Sequence, residues 1–68
     1  MTRFKFCMIG TPQSPILEME ARNVAELHHW IARARYIEGR MVEIAGEATD
    51  CPVLIPANRI QIVMELPE

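Results

Sequence analysis

The segment from Ala21 to Gly39 constrains the fold more than any other, because one stretch carries a helix start, a helical period and a stop. Asn23 can accept a hydrogen bond from the backbone of the first turn, and Glu26, three residues on, can reach back to the cap. Gly39 can take the left-handed conformation that closes a helix. Between them, about 100° per residue places Val24, Leu27, Trp30, Ile31, Ala34 and Ile37 in one broad apolar sector. The pattern predicts a helix from Val24 through Glu38 that lies on a sheet, with Trp30 inside the apolar sector as a core residue, and with Trp30, Tyr36, Arg33 and Arg35 as the helix residues to test as partner contacts.

The flanking runs supply the sheet. From Arg3 to Ile9, Phe4, Phe6 and Met8 alternate with Arg3, Lys5 and Cys7, the period of a strand with one buried face. Gly10 to Pro15 gathers turn-forming residues, and Ile16 to Ala21 resumes extended character, so the two runs predict a hairpin with a medium loop. Leu17, Met19 and Ala21 then face one way, while Glu18 and Glu20 face the other, within reach of Arg3 and Lys5 across the strand pair. Arg40 to Ala45 is expected as a third strand and Gly46 to Asp50 as a polar loop. Pro52 to Ile55 is apolar and β-branched. Pro56 to Asn58 breaks it, and Arg59 to Leu66 alternates again, with Ile60, Ile62 and Met64 set against Arg59, Gln61 and Val63. Pro56 cannot donate to a ladder and marks an edge, a bulge or a corner. The expected architecture is α+β, a single domain over residues 1–68: a small antiparallel sheet in β-β-α-β-β order, with one amphipathic helix packed on one face.

A chain of 68 residues buries only roughly 60% of the surface its unfolded form exposes, so self-association is expected as a source of stability. A strand edge left free in so small a sheet could be extended by another subunit, burying apolar residues such as Ile62 and Met64. A two-fold homodimer is the expected assembly. The net charge of −2 gives no general attraction to phosphate or to an anionic membrane. No run approaches the ~20 apolar residues of a membrane span, and no apolar run suits a signal peptide, so a cytoplasmic location is expected. Cys7 and Cys51 then read as free thiols.

Chemistry-bearing motifs are scarce. His28 and His29 project about 100° apart on a helix and cannot share one ion in the i, i+4 manner. Cys7 and Ser14 have no local motif that supplies a base and an orienting acid. Gly10, Gly39 and Gly46 stand alone, so no phosphate loop and no cofactor site is expected. A continuous helical phase would gather His29, Arg33, Tyr36 and Arg40 in one polar stripe, to which Asn58 and Arg59 add corner residues of the same character. Arg and Tyr suit either a protein partner or phosphates with a stacked base. The same stripe also reads as a solvated face with local ion pairs of small effect. The strand, one-turn corner and strand from Val53 to Val63 has a form also seen where small curved sheets and barrels close, including RNA-binding ring proteins, a likeness of pattern that assigns no family. The expected function is a small non-catalytic protein-binding module, acting as a homodimer that regulates or inhibits a larger assembly. The alternatives are a nucleic-acid-binding regulator using the His/Arg/Tyr patch, and a structural oligomerisation unit.

Overall fold

The computed structural model describes residues 1–67 and consists of one antiparallel five-stranded sheet and one helix, an α+β arrangement. The elements follow as β1 (Thr2–Met8), β2 (Ile16–Met19), α1 (Val24–Arg33), β3 (Tyr36–Ile44), β4 (Glu47–Pro56), the 3₁₀ turn Ala57–Arg59, and β5 (Ile60–Glu65). In the sheet they lie in the order β4-β3-β2-β1-β5.

That order makes β4 and β5 the two outer strands, yet only Ala57–Arg59 separates them in the chain. In a flat sheet four strand spacings would hold them roughly 19 Å apart. Three residues of 3₁₀ helix at about 2 Å rise, with their flanking bonds, cannot cover that span. The end of β4 and the start of β5 would, moreover, lie at opposite ends of the strands. The sheet therefore coils until its diagonal corners meet. Two backbone bonds hold the corner: Ala57 N–H donates to Arg35 C=O at 2.8 Å before β3, and Ile9 N–H donates to Arg59 C=O at 2.7 Å after β1. Phe4, Phe6, Leu17, Met19, Ala21, Leu27, Ile37 and Ile55 are buried inside the coil. The hairpin of β1 and β2 forms as its alternation predicts, with Arg3 opposite Glu18 and their side chains paired at 3.2 Å.

The helix starts as the sequence predicts and stops early. Asn23 Oδ1 accepts from Glu26 N–H at 2.9 Å, whereas the Glu26 carboxylate turns outward to Arg22 at 3.2 Å instead of closing a capping box. Glu65, at the end of β5, supplies the other acceptor, taking the Val24 N–H at 2.8 Å. An anionic oxygen at a helix N-terminus is also favoured by the helix dipole. Of the expected apolar stripe, Leu27 is buried, Ile31 packs against the core, and Val24 and Trp30 remain exposed.

Past Arg33 the chain becomes a strand. A short helix is marginal by itself, and Ile37 gains a buried position opposite Ile55 by entering β3. Gly39 consequently is no helix cap: it lies opposite Val53, and a Cβ there would come within 2.9 Å of Leu17 Cδ2 and 3.3 Å of Met19 Cγ. Of the expected loop over residues 46–50, Glu47 onward is strand, because β3 and β4 join through the two-residue turn Ala45-Gly46, with φ of 54° and 80°. This is the positive-φ pattern of a type I′ hairpin. In β5 the register slips beside Ile60, so Gln61 is an extra residue; Val63 then packs on the core opposite Phe6, and Ile62 and Met64 face outward. This corrects the expected grouping of Ile60, Ile62 and Met64 on one face.

Two stability outcomes follow. Gly39→Val should destabilise by about 1–3 kcal/mol through overpacking on Leu17 and Met19, measured by urea unfolding. Ala45→Asn should stabilise by about 1 kcal/mol, a rise in melting temperature of about 4–8 °C, because asparagine tolerates the left-handed conformation that costs alanine.

Candidate functional site

The alternation of β3 sends Tyr36, Glu38 and Arg40 to the outer face, opposite Pro56, Leu54 and Pro52 of β4. Glu18 of β2 joins them, since it pairs with Arg40 across the next ladder. The end of the helix and this part of the sheet together line an open groove of about 510 Å³, which also takes in the core-side residues Met19, Ile37 and Gly39. Trp30, Ala34 and Tyr36 line it together with Glu18, Glu20 and Glu38. Trp30 is 37% exposed and Tyr36 more so, which places two aromatic rings on a solvent-facing wall instead of in the core.

The charge of the groove is negative. Its lining holds three carboxylates and one guanidinium, that of Arg40. Arg40 is already engaged: Asp50 Oδ1 accepts from its Nη1 at 2.6 Å. The hydrogen bond to Asp50 and the charge of Asp50 raise its pKa above the ordinary arginine value; desolvation opposes them, and Glu18 and Cys51 add smaller raising effects. Glu18 is in turn paired with Arg3. Glu20 and Glu38 form no ion pair among the described residues. A carboxylate pair beside exposed aromatic rings suits a cationic or amphipathic partner and repels a phosphate backbone.

The six residues singled out from the sequence do not form one stripe. Tyr36 and Arg40 belong to β3, not to a continued helix, and share the groove. His29 is exposed on α1 with its ring stacked on His28 at a centroid distance of 6.3 Å, and Arg33 is the last helical residue. Neither lines the groove. Asn58 and Arg59 sit in the 3₁₀ corner. Asn58 lines a second hollow of about 560 Å³ with Arg35, Tyr36 and Ile31, so Tyr36 is the ridge between the two depressions. Glu20 and Glu38 were not among the expected site residues. The in-out alternation from Tyr36 to Met41 was the signal for Glu38, hidden by the helical reading of the same residues.

Among the described residues no three His, Cys, Asp or Glu side chains converge as a metal site, and no helix is long and apolar enough to cross a membrane. Cys7 and Cys51 are free thiols; Cys51 lies opposite core-packed Met41 and Cys7 opposite exposed Ile62, so they occupy opposite faces of the sheet. No family model, curated protein or solved structure matches the chain.

The placement of Trp30 is testable by contrast with Leu27. Leu27→Ala should cost about 2–5 kcal/mol as a core truncation, and Trp30→Ala clearly less, with both read from denaturant midpoints at unchanged slope.

Proposed function

We propose that this chain is a small non-catalytic protein-binding module that acts as a homodimer and regulates or inhibits a larger assembly. The observation that carries the reading is the open groove that the end of α1 shares with β2 and β3, with Trp30 and Tyr36 exposed on its wall. Trp and Tyr are the side chains that dominate protein interfaces when a partner covers them, because they bury a large apolar area at a small entropy cost. A cytoplasmic setting fits two thiols left unpaired.

A second reading, a nucleic-acid-binding regulator, draws on the hollow that joins Arg35, Tyr36 and Asn58. Arg40, neutralised by Asp50, contributes nothing to it. It requires affinity that falls steeply with salt and that Arg35→Glu abolishes.

Native mass spectrometry of the tagged protein, purified gently from its own host, separates the readings. A heteromeric mass with a larger protein is expected, and it should disappear for Trp30→Ala/Tyr36→Ala, whose circular dichroism stays that of the native chain. Co-purified nucleic acid retained by the double variant would replace the protein-binding reading with the second one.

A further inference from the structure

The sheet has two free edges, and they are chemically unequal. On β4, Ala57 N–H donates to Arg35 C=O, and the register continues through Ile37 opposite Ile55 and Gly39 opposite Val53. In an antiparallel ladder these alternate pairs bond each other, so the residues between them, Pro52, Leu54 and Pro56, direct their backbone away from β3 to the free edge. Two of those three are prolines with no N–H to offer. Prolines at such positions are how a sheet edge is closed to further strands.

On β5 the phase is set by Leu66 N–H, which donates to Arg3 C=O at 2.9 Å, with Glu65 opposite Phe4 and Val63 opposite Phe6. Met64 and Ile62 therefore bond to β1, and Val63 and Glu65 turn their backbone groups to the free edge. No proline interrupts β5, and the side chains beside this open edge are apolar and exposed: Ile62 at 52% and Met64 at 40%.

We infer that β5 is the self-association surface, pairing antiparallel with β5 of a second copy of this chain about a two-fold axis at Val63. The inference rests on the dimer in the proposed function and adds its surface and register. With Val63 opposite Val63 of the second copy as the mutually bonded central pair, Ile62 falls opposite Met64 of the second copy, and Met64 opposite its Ile62. These are the closely spaced, non-bonded positions of the ladder. Every exposed apolar side chain of β5 thereby finds an apolar counterpart, and the same strand supplies both halves, as an isologous interface requires. The axis also keeps both helices on the same face of the joined sheet, the face that carries the shallow hollow of about 390 Å³ lined by Val24, Leu27, His28, Ile31 and Val63. A head-to-tail arrangement of β5 on β4 would face the two prolines, so the contact closes as a dimer and does not propagate.

The test is analytical ultracentrifugation of the full chain and of three variants, with circular dichroism as the check of folding. The native chain should be dimeric at micromolar concentration. I62K and M64E should each weaken association by about a hundredfold, since each buries an unpaired charge against an apolar side chain. Both sites are exposed in the monomer, so its fold should survive. The chain carrying I62K and M64E together sets an ammonium against a carboxylate at both positions and should recover the dimer. A native chain that stays monomeric, or that associates only with another protein, overturns the inference together with the homodimer. A dimer indifferent to both single substitutions leaves the homodimer standing and overturns the β5 surface. Failure of the double variant to recover while both singles dissociate overturns the register.

Discussion

The fold depends on the corner at Ala57–Arg59. Its two backbone hydrogen bonds, to the residue before β3 and the residue after β1, join places that a flat sheet would hold at diagonal corners. Once the sheet is coiled by that connection, a set of eight side chains is enough to fill its interior, and five of them, Phe4, Phe6, Leu17, Ala21 and Leu27, are fully enclosed. Pro56 suits the position because its fixed φ, here −65°, leads the chain into the turn and its missing N–H falls where no strand asks for one.

Where local pattern and tertiary demand agreed, the fold was legible. Phe4, Phe6, Leu17, Met19 and Ala21 are buried as their alternation implies, and Asn23 caps the helix it was expected to cap. The discrepancies share one cause: residues read by local propensity were placed by pairing partners far along the chain. Gly39 looks like a helix stop because glycine is one, but its lack of a Cβ serves the close approach of Leu17. Tyr36 and Ile37 fit the helical period and are claimed by β4. The outward turn of Ile62 follows from the extra residue at Gln61, which period-2 reasoning over an uninterrupted strand has no means to anticipate.

The candidate site shows the same separation between residue type and residue role. Arginine in a sequence suggests positive surface, yet Arg40 lies between Asp50 and Glu18, and the surface around it is acidic. The unpaired groups that define the groove, Glu20 and Glu38, are ordinary glutamates when read one by one. Their significance comes from β3 setting Glu38 beside the end of a helix that stops early enough to leave Trp30 uncovered.

The position of β1 has a consequence for how the chain reaches this state. It lies between β2, its near neighbour in sequence, and β5, more than fifty residues along, with Phe4 opposite both Leu17 and Glu65. During synthesis one flank of β1 therefore stands unpaired until β5 has been made, and Phe4 and Phe6 wait without their final enclosure. Closure across so long a loop is slow relative to local hairpin formation, and the exposed strand is open to pairing with neighbouring chains meanwhile. The basic residues Arg3 and Lys5, which alternate with those phenylalanines, place like charges along any such strand stacked in register and so disfavour the wrong partner before the right one arrives.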